Sequence, residues 1–212
     1  MDRHQQGPFF VFYSMSLCHG PFYPTPDDPE FAAWKPGIDV SDTRFYPSMV
    51  KYMDKKIGQV IDKVDQMGIA NKTVIIYIGD NGTDNKITSL YNGQTIRGGK
   101  GYSTQYGTNV PMVVKWQGVV SPDAINNDLV DFTDFFPTIA DISQKPRFIT
   151  KYVPIDGVSF YQRLFKKRGT PRSWIFCHFN PFRPSGGDTL KRWIQNKNYK
   201  LYGLTDQFYE YP

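Results

Sequence analysis

The sequence predicts an α/β protein: a mixed, mostly parallel sheet flanked by helices, followed by a small antiparallel α+β subdomain. Three observations carry this. Apolar, β-branched and aromatic runs at Pro8–Met15, Thr73–Ile78 and Val110–Trp116 have the length and texture of strands buried on both faces. A long amphipathic segment lies between the first two, so strand, helix and strand succeed one another in the order that builds parallel sheets. Beyond Lys145-Pro146 the chain turns richer in aromatic and basic residues and breaks into short candidate strands. The expected division is residues 1–145 for the larger domain and 146–212 for the smaller.

Each element has its own warrant. After the first apolar run, Leu17–Pro36 is rich in proline and reads as an irregular loop over the sheet end. Ser41-Asp42 can cap a helix in which Met49, Met53, Ile57, Val60, Ile61, Val64 and Met67 recur at spacings of three and four, with Gly68 placed to stop it. The methionines on that face read as gap-filling core. Asn92-Gly93 between short mixed segments signals a hairpin. Asp128–Ile142 is helical in pattern, with Pro137 expected to begin a new segment, since proline is tolerated in a first helical turn. Trp174–Phe179, Arg192–Ile194 and Tyr199–Leu204 are the candidate strands of the smaller subdomain.

Composition narrows the function classes. The 212 residues carry 25 basic and 20 acidic side chains, a net charge of +5 spread along the chain, which gives a nucleic-acid partner little support. The densest basic run, Lys166-Lys-Arg168, reads as a solvated helix end. Cys18 and Cys177 lack any C-x-x-C spacing, so neither a zinc site nor a disulfide framework is indicated. No run of 18 apolar residues predicts a membrane span, and no apolar h-region follows Met1.

The chemistry-bearing residues gather in loops expected at strand ends, where open α/β sheets bind ligands. Gly79-Asp-Asn-Gly82 offers a carboxylate from Asp80 and an amide oxygen from Asn81, donors that suit Ca2+ or, less well, Mg2+. The same four residues also spell a turn. The EF-hand spacing is absent. In Gly98-Gly-Lys-Gly101, Lys100 is either a solvated lysine or an anion contact with exposed backbone amides beside it. A nucleotide P-loop is excluded, because Gly99 stands where that motif needs lysine. His19, in Leu17-Cys-His-Gly-Pro21, is structural or an anion and proton contact. His178 alternates with aromatics and reads as packing; His4 sits in a polar tail. Asn71-Lys-Thr73 and Asn81-Gly-Thr83 are sequons, and a glycan on Asn81 would conflict with a metal role.

In their order along the chain these pieces resemble the sulfatases of the alkaline phosphatase superfamily, whose other members include phosphatases and phosphodiesterases. Pro8-Phe-Phe-Val-Phe-Tyr with Cys18-His-Gly-Pro21 is similar to the strand and histidine loop that touches sulfate, and Val74–Gly82 to the strand bearing the last two calcium ligands. Gly98-Gly-Lys-Gly101, with Gly107–Trp116 after it, resembles the segment whose lysine also holds sulfate. Asp131–Ile139, Asp156-Gly-Val-Ser159, Tyr199-Lys-Leu-Tyr202 and Phe208-Tyr209 continue the match. The resemblance implies an alkaline phosphatase-like fold, Asp80 and Asn81 as Ca2+ ligands, and His19 and Lys100 as catalytic groups that bind the sulfate of a small molecule or glycan. It also implies a periplasmic, secreted or lysosomal setting. The family's nucleophile, a formylglycine made within C/S-x-P-x-R, has no counterpart, for no cysteine or serine here stands in that context. The N-terminal metal-binding aspartates are likewise unmatched, and Gln105-Tyr-Gly107 replaces the usual acidic-glycine stretch. The expectation is the C-terminal half of a sulfatase, whose missing half would be its partner.

Overall fold

A computed structural model describes residues 1, 7–144, 154–179, 191–203 and, for the backbone alone, 208–210. Its elements run α1 (Tyr46–Gln66), β1 (Ile75–Ile78), β2 (Thr88–Tyr91), β3 (Gln94–Arg97), α2 (Gln105–Thr108), β4 (Met112–Lys115), α3 (Phe135–Ile142), β5 (Ile175–Phe179), β6 (Lys191–Gln195), β7 (Tyr199–Tyr202) and β8 (Phe208–Glu210). They fall into two compact units: residues 1–66 with 83–98, and residues 67–82 with 99–212. The boundary expected at residue 146 and His4 lie outside the described residues.

The first unit is built on α1. Asp42 accepts from Arg44 N at 2.9 Å and starts a short 3-10 turn, Thr43–Phe45, that leads into the helix, as the sequence cap predicts. The apolar face buries Met49 and Val64, and Met49 closes a small core with Phe22 and Ile87 against Leu17, Cys18 and Tyr46. The Phe22 and Tyr46 rings meet edge to face at 5.9 Å. The proline-rich loop is irregular, as expected, and Arg44 reaches it through Glu30 at 2.8 Å. Both partners are more than half exposed, so that pair adds little. β2 and β3 form the predicted hairpin, with Asn92 and Gly93 both at positive φ as a tight two-residue turn requires.

One expected element fails here. Pro8–Met15 forms no strand: Phe10 is 73% and Phe12 82% exposed, and no described segment pairs with them. A strand buried on both faces needs a hydrogen-bonded neighbour on either side and cover above and below. β-Propensity without those neighbours leaves an extended, exposed run. With it goes the parallel order, for α1 then has no first strand to connect.

In the second unit β1 pairs with β4, antiparallel, from Ile75 opposite Lys115 to Ile78 opposite Met112. Every described ladder is antiparallel, so the mostly parallel sheet expected from the succession of elements is absent among the described residues. The likeness of the two runs to buried parallel strands reflects their apolar content, which carries no information on direction. β5 to β8 form a four-stranded antiparallel sheet in sequence order: the first three fall on the candidate strands, and β8 on the Phe208-Tyr209 pair noted through the resemblance. Along β5, Ile175 and Cys177 turn inward while Phe176 and His178 face solvent, so His178 is exposed and does not pack as expected. Lys166, Lys167 and Arg168 are exposed at the end of a short 3-10 helix, in line with the solvated reading. Both cysteines are free. No helix among the described residues is long and apolar enough to cross a membrane.

A buried ion pair ties α3 to the approach to β5. Helicity begins at Asp131, which caps a 3-10 turn through a reciprocal capping box with Asp134, and Pro137 falls in the first turn of α3. The Asp134 carboxylate accepts from Arg172 Nη2 at 2.5 Å and Nε at 2.9 Å, from Val158 N at 2.6 Å and from Asp131 N at 2.8 Å. Arg172 continues to the carbonyls of Trp174 and Asp156 at 3.1 and 3.2 Å. The two side chains are 2% and 7% exposed. Hydrogen bonding to Asp134 raises the Arg172 pKa, which keeps the guanidinium charged. Fully buried Thr138 adds a second tie, donating to Asp134 O at 2.7 Å and accepting from Phe160 N at 3.0 Å.

Glycine-only contacts bring two loops and the short helix α2 together in the same unit. Gly82 N donates to Gly107 O at 3.0 Å, and a Cβ on Gly82 would collide with Tyr106 O and stand 2.7 Å from Gly107 Cα. A Cβ on Gly99 would meet Tyr106 C at 2.7 Å and Gly107 N at 2.9 Å. One on Gly107 would strike the carbonyls of Tyr102 and Gly99. These obstacles are backbone and cannot swing aside.

Three stability outcomes follow for chemical denaturation. Asp134→Ala destabilises the chain by about 3–5 kcal/mol, because it strands a buried guanidinium. Gly82→Ala and Gly99→Ala each cost about 3 kcal/mol, the upper range for overpacking. Gly58→Ala, inside α1 where a Cβ meets nothing within 4 Å, stabilises by about 0.5–1 kcal/mol.

Candidate functional site

The loop after β1 begins where the ladder stops. Gly79 N donates to Pro111 O at 3.1 Å, the last rung between the two strands, and the chain then leaves the sheet through Asp80 and Asn81. Both residues are exposed, and neither side chain makes a hydrogen bond or ion pair among the described residues. A turn read from Asp-Asn-Gly would use these side chains to cap nearby amides. Here the next amide, that of Gly82, is taken by the Gly107 carbonyl instead, which leaves both side-chain oxygens open to a ligand.

Lys100 belongs to the same unit, on a half-buried position between buried Gly99 and exposed Gly101. Its ammonium also has no hydrogen bond or ion pair among the described residues. The Asp80–Gly82 and Gly99–Gly101 loops both abut the Tyr106–Gly107 peptide, so the structure brings three of the four expected site residues into one backbone-locked cluster of loops.

His19 lies in the other unit, exposed, with its Nδ1 2.5 Å from the Gly20 carbonyl. That contact requires the proton on Nδ1 and leaves Nε2 as the ring nitrogen not engaged by Gly20. A neutral ring presents Nε2 as an acceptor, and a protonated one presents it as a donor.

The donors fit a hard cation in kind. Asp80 and Asn81 are both oxygen ligands, and no thiol or imidazole from the described residues of this unit stands with them in a ligand cluster. They do not fill a coordination sphere, since Ca2+ takes six to eight oxygens. No group of three or more acidic, histidine or cysteine side chains that could hold a metal occurs among the described residues.

Sequence reasoning passed over the groups that meet the Lys100 loop. Lys191 Nζ donates to Gly101 O at 3.2 Å, Lys200 Nζ donates to Ser103 O, and Tyr202 Oη donates to Ser103 Oγ at 2.8 Å. Lys200 is 3% exposed, beside the Trp193 ring at 4.5 Å. Burial lowers its pKa to about 8, and a coulombic contribution from Cys177 acts the other way. The signal in the sequence was small: strand alternation puts Lys200 on the face opposite exposed Tyr199, where a lysine is out of place.

Comparison with known proteins identifies the family and the fold. The sulfatase family model matches residues 1–144. A sulfatase from Formosa agariphila is 27% identical over 227 residues, covering 99% of this chain and 40% of that protein. The crystal structure of Ps i-CgsB superposes with a TM-score of 0.69 at 20% identity, over 97% of this chain and 44% of that one. A structure in complex with its substrate, D-glucosamine-2-N,6-O-disulfate, superposes with a TM-score of 0.59 at 20% identity, over 79% of this chain and 33% of that one. The chain thus spans well under half the length of the proteins it matches, and at these identities the structures speak to the fold alone. With a family model covering most of its length, the chain belongs to the sulfatase family.

Proposed function

We propose that this chain carries the part of a sulfuric ester hydrolase that holds a cation and the sulfate group. The observation that supports it best is the seating of the Asp80–Gly82 and Gly99–Gly101 loops on one peptide, with Asp80, Asn81 and Lys100 left open to a ligand. Asp80 and Asn81 would be two ligands of Ca2+, with Mg2+ the weaker candidate because it demands near-ideal octahedral geometry. A bound cation would supply charge stabilisation to the sulfate oxygens. Lys100 binds those oxygens as a point charge, and the glycines beside it let the ammonium approach without steric cost. His19 is given a sulfate contact by the family resemblance, with Nε2 as the nitrogen available for it.

For substrate class we infer a sulfated saccharide. The support is the disulfated glucosamine substrate of a protein with the same fold. A second reading, cation and sulfate binding without turnover, is favoured by one feature of the sequence: nothing in the 212 residues stands in a C/S-x-P-x-R context to attack sulfur.

Calorimetry tests the site. The chain binds Ca2+ and inorganic sulfate, Asp80→Ala and Asn81→Ala each weaken Ca2+ binding about tenfold or more, and Lys100→Ala does the same to sulfate. Affinities untouched by these changes remove the assignment. An aryl sulfate assay of the purified 212-residue chain shows no phenolate release above the blank, and measurable turnover would overturn the missing-nucleophile argument.

A further inference from the structure

We propose that Lys200, flanked by Lys191 and Tyr202, is a positioning residue for Lys100: it anchors the Gly99–Thr104 loop by its backbone to the C-terminal sheet. The inference rests on the reading of Lys100 as the sulfate contact and adds residues to which that reading gives no role. Backbone contacts hold Gly99 on one side of Lys100, but on the other side Gly101, at positive φ with open space around it, leaves the chain free to place the charge in many positions unless that side is fixed as well. Two carbonyls beyond Lys100 are held from far along the chain. Gly101 O accepts from Lys191 Nζ at 3.2 Å, 90 residues away, and Ser103 O accepts from Lys200 Nζ, 97 residues away. Tyr202 adds its hydroxyl to Ser103 Oγ at 2.8 Å. Lys191 and Lys200 come from neighbouring strands, β6 and β7, so a hydrogen-bonded sheet sets the spacing between the two grips.

The chemistry of Lys200 supports an anchor over a filler. An ammonium costs free energy to bury, and an apolar side chain of similar length would fill the same space without that cost. Its 3% exposure, its place 4.5 Å from the Trp193 ring, and its donation to a carbonyl describe a charge kept for the contacts it makes. The pKa of about 8 leaves it mostly charged at neutral pH.

The test is amide hydrogen exchange on the whole chain, with inorganic sulfate titrated in parallel, for the parent, Lys200→Met, Lys200→Arg and Tyr202→Phe. The expected result is exchange about tenfold faster across residues 99–107 in Lys200→Met, with β1 and β4 unchanged, and partial recovery in Lys200→Arg. Sulfate affinity falls by a similar factor, as the competent loop conformer becomes less populated. Unchanged exchange in the loop overturns the proposal, as does a loss spread equally over β1 and β4, the mark of a merely structural lysine. Should Lys200→Met fail to fold, Tyr202→Phe decides: faster exchange confined to the loop supports the anchor, and parent-like exchange overturns it. A parent chain that binds no sulfate sinks the role given to Lys100, whereas the exchange data alone decide whether Lys200 holds the loop.

Discussion

Two loops of the second unit meet α2 at the Tyr106–Gly107 peptide with no side chain of their own between, and the arrangement of Asp80, Asn81 and Lys100 depends on that contact. Gly82, Gly99 and Gly107 stand where a single methyl group would strike backbone. Removing side chains lets peptide groups approach within hydrogen-bonding distance, as Gly82 N and Gly107 O do at 3.0 Å. The cost is the conformational entropy of ordering glycine, offset by a stiff junction in which backbone packs directly on backbone. Asp80 and Asn81 on one loop and Lys100 on another inherit that stiffness, since each lies within two residues of a locked glycine.

The same economy explains what a sequence reader could and could not see. The glycines, the acidic and amide pair and the lone lysine are all visible as letters, and the end of β1 is marked by the apolar run before it. The hairpin at Asn92-Gly93, the α1 cap at Asp42 and the short C-terminal strands are written in local rules of turn, cap and alternation. Pro8–Met15 is legible as apolar and extended but not as unpaired, because pairing depends on neighbours that no local window contains. The direction of β1 against β4 was hidden for the same reason. His178 was misjudged because alternation sets which residues share a face, not which face is covered. Lys200 and Tyr202 are plain strand residues until the chain folds back some hundred positions to the Lys100 loop.

The second unit therefore has two kinds of fastening. The Asp134–Arg172 pair is charged, buried and saturated with hydrogen bonds, so it holds α3, the Asp156–Val158 segment and the approach to β5 in one arrangement. It is intolerant of losing either partner, since the survivor would be a bare charge. The glycine junction carries no charge and responds to added volume instead. One fastening fails when an atom is removed and the other when an atom is inserted, so the two are vulnerable to opposite classes of substitution.

The grip of β6 and β7 on the loop falls on carbonyl oxygens at Gly101 and Ser103, and every amino acid supplies a carbonyl. Exposed Thr104 can change identity without disturbing those two holds, whereas the Tyr102 ring also lies 6.0 Å from Lys191 Nζ. Placement of the loop is thereby uncoupled from most of its side chains. A grip on backbone is indifferent to the letters it holds, so the loop can be rewritten in sequence while its path through space is kept.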